Sequence, residues 1–404
     1  MLTVAMITPL PPQKTGESAY AAKLIGGLEA TRKVRIVVLS GPDAYPIESK
    51  DGAVKTLRVW QGRSITYPLK IARELKACKV HMVHVQFGPH GAVYGGLFGE
   101  PMLLLLLLAK FLGIRTTVTF HSTWMTAQVA ERIRQYKKLS LFSILAGPFF
   151  RLYMRILCKG TDVLQLSSVR LNSTLKDRFL REYRFFAGKV AEIPHPCDNA
   201  VERIDPSEAG RELGLLGKRV ILLFGFIARN KGIEIALRAM EQIRELIPDA
   251  MMVIAGTPLD RDGVAYLHEL HRLAKDLSLD QCVRFRTKFI PEEEVRLYFS
   301  CASVVVVPYT QSIGASGPIH NYAGYGVPIV ASDAGHHAKE SIGGNAVVFR
   351  HGDFADLASK VVQILTDAQL AERIREKQMA YARKETWELA AKRTLRIYQR
   401  VMSR

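Results

Sequence analysis

The stretch from Pro308 to Ser332, P-Y-T-Q-S-I-G-A-S-G-P-I-H-N-Y-A-G-Y-G-V-P-I-V-A-S, limits what this chain can fold into more than any other. An apolar run, Val304 to Val307, leads into it without alternation, the pattern of a parallel strand buried on both faces. A loop with Gly314, Ala315, Ser316 and Gly317 follows, and the pattern turns helical at Pro318. Strand, glycine loop and helix in that order call for a parallel α/β sheet around them. Ser316 suits the helix cap, Gly317 lets a ligand approach the backbone, and Pro318 fits the first helical position because it has no N–H to leave unpaired. The free N–H groups of that turn and the positive end of the helix dipole make a place for a phosphate. A strand-to-helix turn that holds nothing is the competing reading.

At 404 residues, 48% of them hydrophobic, the chain exceeds one core and suits two domains. The first series opens with a strand at Leu2 to Thr8, a loop from Pro9 to Ser18 carrying Lys14, Thr15 and Gly16, a helix from Ala19 to Leu28 and a strand at Val34 to Ser40. Further strands are predicted at Met82 to Gln86, Thr116 to Phe120, Val163 to Leu166 and Val190 to Pro194. No G-x-G-x-x-G follows the first strand, which argues against a nicotinamide enzyme. Open α/β sheets bind ligands beyond the carboxyl ends of their strands, which puts Gly16, Gln86, His90, His121 and Ser167 near one rim. The charged, glycine-dotted segment 201–217 reads as a linker. A second series starts at Arg219, continues through G-F-I-A-R-N-K-G at Gly225 to Gly232 and M-M-V-I-A-G ending at Gly256, and reaches the opening stretch. The predicted architecture is therefore α/β, two Rossmann-like doubly wound domains facing each other across a cleft: 1–200, then 218–385, with a final helix at 386–404.

The formal charge of +18 is unevenly spread: residues 1–200 hold 28 Lys and Arg against 13 Asp and Glu, and the remainder 28 against 25. A field of +15 on the first half favours an anionic partner, nucleic acid or an anionic membrane face. Nucleic-acid signatures are absent from the sequence, so no nucleic-acid partner is expected. Met102 to Ala109 is too short to span a bilayer and reads as a buried helix. Leu141 to Leu157, with Arg151 and Arg155 inside and basic flanks, suits either a helix lying in a membrane interface or one packed on a core. Five scattered cysteines, Cys78, Cys158, Cys197, Cys282 and Cys301, lack metal-site spacing and read as reduced thiols in a cytoplasmic protein. The N-terminus reads as a first strand, with no signal peptide. Asp260 and Asp262 read as a solvated turn, adjacent His336 and His337 as loop residues, and no metal or other cofactor is expected.

His121 follows T-V-T-F directly, and a histidine at a strand's carboxyl end can orient a hydroxyl or phosphate; capping the next helix is its structural alternative. With T-F-H at Thr119 to His121, I-P-H-P-C-D at Ile193 to Asp198, the G-x-x-x-x-x-K-G at Gly225, V-I-A-G at Val253, G-V-P-I-V-A-S at Gly326, and Trp387 with Tyr398 in the last helix, the chain resembles the retaining nucleotide-sugar glycosyltransferases of family 4, which have the GT-B fold. The resemblance implies a C-terminal domain for the nucleotide sugar, an N-terminal domain for the acceptor, and a last helix that crosses back to the first domain. It assigns Lys231 to the donor diphosphate, with Arg229 as its assistant where the family's usual arginine is replaced by Phe226; a solvated basic turn is the alternative for both. Phe289 and Ile290 would hold the base, Gly16 would let the first domain's loop approach the diphosphate, and His121 would sit beside the reacting sugar. Gly225 and Gly256 would belong to the donor-binding set, with Gly314, Ala315, Ser316 and Gly317. The family's glutamate pair falls on Ile313 and Asn321, neither acidic; Asn321 retains an amide for a ribose hydroxyl. The reaction implied by the resemblance is metal-independent, retaining transfer of a hexose from a UDP- or GDP-linked donor to a hydroxyl of a lipid-linked glycan, glycolipid or polysaccharide. Together with the basic first half it suits a cytoplasmic protein that can sit peripherally on the inner face of the cell membrane. A non-catalytic nucleotide-sugar-binding protein and a nucleotide-sugar epimerase of the same fold are the other readings.

Overall fold

The computed structural model describes the chain except for Lys14, 61–63, His90, Thr123, 137–140, 167–172, 199–200, 312–315, 335–340 and Arg404. It divides into two compact units, Met1–His195 with Trp387–Arg404, and Pro196–Thr386.

In the first unit β1 (Leu2–Ile7), β2 (Val34–Ser40), β3 (Val54–Arg58), β4 (Met82–Phe87), β5 (Arg115–Phe120), β6 (Val163–Leu166) and β7 (Val190–Glu192) form one sheet in the order β3-β2-β1-β4-β5-β6-β7. All its pairs are parallel. Helices cover both faces, so β1 and β2 are apolar nearly throughout. Edge strand β3, V-K-T-L-R, is half polar and carries no signal above its surroundings. The helices are α1 (Gly16–Ala30), α2 (Tyr67–Ala77), α3 (Gly91–Tyr94), α4 (Pro101–Phe111), α5 (Thr126–Tyr136), α6 (Leu141–Gly160) and α7 (Ser173–Tyr183). Helix α1 starts three residues before the predicted Ala19, because the Thr15 hydroxyl accepts from the Ser18 N–H and caps it. The C-terminal helix, Trp387–Met402, lies against α1: a Cβ on Gly27 would sit 3.1 Å from both Ala391 Cβ and the Trp387 carbonyl. Its Ala390, Ala391, Leu395, Tyr398 and Val401 complete the core that holds Val4, Met6, Leu24 and Met82.

Helix α4 departs from expectation. Met102, Leu105, Leu106 and Ala109 are buried, whereas Leu104, Leu107 and Phe111 are 41%, 55% and 88% exposed. Helix α6 packs on the core through Ala146, Phe150, Tyr153, Met154 and Leu157, and exposes Ile144, Leu145, Phe149, Leu152 and Ile156 on its other side.

The second unit takes in the whole of the expected linker. Helix α8 (Pro206–Leu213) is capped by Asp205, whose carboxylate accepts from the Ser207 and Glu208 N–H groups, and Ala209 joins the unit's core. Strands β8 (Arg219–Phe224), β9 (Ala250–Ala255), β10 (Val283–Arg286), β11 (Ala302–Val307), β12 (Ile329–Ser332) and β13 (Val347–Phe349) form a parallel sheet in the order β10-β9-β8-β11-β12-β13. Helices α9 (Ile233–Leu246), α10 (Arg261–Asp276), α11 (Glu292–Cys301), α12 (Gly317–Asn321), Phe354–Thr366 and Ala368–Lys384 flank it. The switch in strand order lies between β8 and β11, where ligands of such sheets bind.

Candidate active site

At that switch point the backbone is drawn tight by two glycines. Gly256, at φ +148°, has no room for a Cβ, which would overlap the Gly225 carbonyl, so the ends of β8 and β9 run together. Gly232, at φ +61°, likewise leaves no space before the Pro308 carbonyl. The turn Arg229–Lys231 is thereby pressed onto the end of β11, where the Thr310 N–H donates to the Asn230 carbonyl at 3.0 Å. The result places Lys231 Nζ 3.8 Å from the centroid of the Tyr309 ring. A pocket lined by Gly225, Phe226, Lys231, Pro308, Tyr309 and Pro318 opens there. The ring quadrupole attracts an ammonium placed over its face and so holds Lys231 in that position.

Arg229 is not brought to the same use. Its guanidinium donates to Asp262 at 3.2 Å and to both oxygens of Glu269 at 2.6 and 2.7 Å, and lies over the Tyr266 ring. Two carboxylates on α10 hold it, so the expectation that it assists Lys231 is corrected: Arg229 anchors a helix. The acidic pair is likewise no solvated turn. Asp260 caps α10 by accepting from the Gly263 N–H at 2.9 Å, and Asp262 pairs with Arg229.

The opening stretch also differs in detail. Ser316 precedes α12, but its hydroxyl lies 3.0 Å from the Tyr309 hydroxyl and caps no N–H. Helix α12 is five residues long and passes into a short 3-10 turn at Ala323–Tyr325, so a helix dipole adds little there. Gly317 has open space where a Cβ would be, and Gly225 faces Pro318. The Asn321 Oδ1 is enclosed and finds no hydrogen-bond partner among the described residues. His320 is fully buried, its Nδ1 3.0 Å from the Ser316 carbonyl, and burial lowers its pKa to about 4 against the raising effect of that bond. Phe289 is 53% exposed, whereas Ile290 is 7% exposed with its side chain in the core. Ile313, Gly314 and Ala315, and also His90, Ser167, His336 and His337, lie outside the described residues.

In the first unit, Gly16 is the first residue of α1, with nothing near its absent Cβ. Tyr20, a turn later, meets the His121 ring edge-on at 4.7 Å and Trp387 at 5.0 Å. His121 sits at the end of β5, its Nε2 2.8 Å from Gln86 Oε1. Behind it lies His84, a residue that sequence reasoning misses. His84 is completely buried, with Nδ1 2.6 Å from the Tyr398 hydroxyl and Nε2 2.7 Å from Thr119 Oγ1 and 3.1 Å from Gln86 Nε2. Burial, and then the charge of His121, lower the His84 pKa to about 3. A signal is present all the same: in M-V-H-V-Q-F, His84 and Gln86 are polar where a fully buried parallel strand would be apolar.

Comparison with known proteins defines the class first. The sheets are those of the GT-B architecture: a sucrose-phosphate synthase from Thermosynechococcus elongatus superposes with TM-score 0.73 at 18% identity over 100% of both chains. Anabaena HepE in complex with UDP superposes with TM-score 0.74 at 14% identity over 99% of this chain and 100% of its own. Residues 218–367, within the second unit, match the family described as Glycosyl transferases group 1. A D-inositol 3-phosphate glycosyltransferase of Corynebacterium jeikeium is 29% identical over 206 residues, 50% of this chain and 47% of that protein; the chain thus spans about half the length of this relative. A GDP-mannose-dependent alpha-(1-6)-phosphatidylinositol monomannoside mannosyltransferase of Mycolicibacterium smegmatis is 24% identical over 381 residues, 89% of this chain and 88% of that protein.

Proposed function

We propose that the protein is a retaining, metal-independent glycosyltransferase of family 4 that transfers a hexose from a UDP- or GDP-linked donor to a hydroxyl of a glycolipid, lipid-linked glycan or polysaccharide. The observation that carries this reading is Lys231, whose ammonium is seated on Tyr309 beside Gly225 at the sheet's switch point. There it offsets the charge that builds on a departing diphosphate. The bond from the sugar's anomeric carbon to the phosphate oxygen breaks, the acceptor oxygen bonds to that carbon from the same face, and the acceptor's proton passes to the leaving phosphate. Asn321 hydrogen-bonds a ribose hydroxyl through its amide, Phe289 lies against the base, and His121 hydrogen-bonds the transferred sugar. The named activities of the mycobacterial and corynebacterial relatives support a sugar donor and an inositol-type or lipid-borne acceptor.

A panel of UDP- and GDP-sugars, assayed for transfer or hydrolysis with and without EDTA, tests the proposal. Turnover with one donor, unaffected by EDTA, is expected; no turnover with any donor sinks it. The substitution of the family's glutamates by Ile313 and Asn321 favours one second reading, a nucleotide-sugar-binding protein without turnover. Calorimetric binding of a donor that is never consumed would establish that reading instead.

A further inference from the structure

The sheet of the first unit carries a polar stripe through its centre. His84 and Gln86 on β4 and Thr119 on β5 share one face, under the C-terminal helix that brings Tyr398. All four are buried. Each such group would be costly to bury unpaired, and apolar residues would fill the same space without that penalty. The stripe leads to the one member at the sheet's rim, His121.

The hydrogen bonds run in a single direction. Gln86 turns its Nε2 toward both His84 Nε2 and the Met6 sulfur, 3.4 Å away, and a sulfur accepts from N–H but repels a carbonyl oxygen. Gln86 therefore donates to His84 and presents Oε1 to His121. His84 Nε2 receives this donor and the Thr119 hydroxyl, so it is the lone-pair nitrogen, and Nδ1 carries the proton and donates to the Tyr398 oxygen. Burial keeps the His84 ring neutral, so it holds a single proton. At the far end His121 must supply the hydrogen that Gln86 Oε1 accepts, and it does so from Nε2.

We propose that Tyr398, His84 and Gln86 are a positioning relay that fixes the tautomer of His121, with the proton on Nε2 and the accepting lone pair on Nδ1. A ring so fixed accepts a hydrogen bond from a hydroxyl at Nδ1, without taking its proton. The tautomer stands on the network alone; its use on a sugar hydroxyl rests on the glycosyltransferase reading.

Histidine-selective nitrogen-15 NMR on the intact protein reads ring tautomers directly. The expected result is a neutral His121 protonated at Nε2 and a neutral His84 protonated at Nδ1. Gln86→Met keeps the side chain's shape but removes the acceptor, and His121 should shift toward the Nδ1-protonated form. Tyr398→Phe removes one oxygen. His84 then moves its proton to Nε2, Gln86 turns its amide, and His121 changes tautomer with it, an effect that loss of packing alone would not produce. In a donor assay both variants should lower kcat about tenfold or more with donor KM within about twofold. An Nδ1-protonated His121 in the parent protein, or a His121 that does not respond in a folded Tyr398→Phe or Gln86→Met variant, overturns the relay. If tautomers respond as stated while no sugar is ever transferred, the relay stands and the enzyme reading falls.

Discussion

Lys231 and Arg229 lie two positions apart in one turn, and the structure separates their roles. Lys231→Ala should lower kcat/KM by about 10²–10³, the loss typical of a donor aimed at developing negative charge, with little change in thermal midpoint. Arg229→Ala should do the reverse, since the residue is half exposed and its partners are Asp262 and Glu269: activity within a few-fold of the parent and a stability loss of about 1 kcal/mol or less. Equal kinetic losses in the two variants would refute the division. The basic turn was legible in N-K-G, but the acidic partners 33 and 40 residues away on α10 were not. The buried histidines set the pH dependence. The His84 pKa is lowered to about 3 and that of His320 to about 4, below the usual 6.5, so between those values and 6.5 the unfolded chain binds protons that the folded chain refuses. Stability is then complete above about pH 6.5 and falls as pH drops below it, by roughly 1 kcal/mol per pH unit for each histidine. Thermal midpoints from pH 7.5 down to 5 should follow that slope, and His84→Gln should make it shallower; a flat profile contradicts the assignment.

At the scale of elements, legibility followed periodicity. Strands with unbroken apolar runs, such as β8 and β11, stood out because parallel strands are covered on both faces. Helix α4 did not, because L-L-L-L-L-L reads the same on every face, and only its neighbours decide that Leu105 is buried and Leu107 exposed. The segment 201–217 resembled a linker by composition, yet Asp205 followed by Pro206 is a helix start, and α8 begins there. The loop glycines were legible as residues, though what each must clear was not. Gly232 needs a left-handed backbone and faces the Pro308 carbonyl, so Gly232→Ala should displace the turn that carries Lys231. A stability loss of about 2 kcal/mol or more is expected, together with loss of donor binding by calorimetry. A Gly232→Ala protein with both unchanged would show that the turn does not set the position of Lys231.

For the molecule as a whole, charge and apolar surface fall on the same unit. The first 200 residues carry +15, and the same unit exposes Leu104, Leu107 and Phe111 on α4 and Leu145, Phe149, Leu152 and Ile156 on α6. A groove of about 630 Å³ lined by Ile65, Leu97, Pro101, Leu145 and Phe149 joins the two helices. The exposed α6 positions recur at intervals of four, three and four, one stripe of a helix whose other side is core. Among the described residues no helix is long and apolar enough to cross a membrane. A membrane contact through such a surface would be peripheral, with apolar side chains entering the headgroup layer and basic residues drawn to anionic lipid. Binding to vesicles rich in anionic phospholipid should therefore fall about tenfold or more between low salt and 0.5 M, because the Debye length shrinks from roughly 30 Å at 0.01 M to a few Å. Leu107→Glu with Phe149→Glu, both at exposed positions, should weaken the same binding while leaving the thermal midpoint and donor binding in place. Neutral vesicles bound as tightly as anionic ones would remove the electrostatic half of this reading, and a double variant that still binds fully would remove the apolar half.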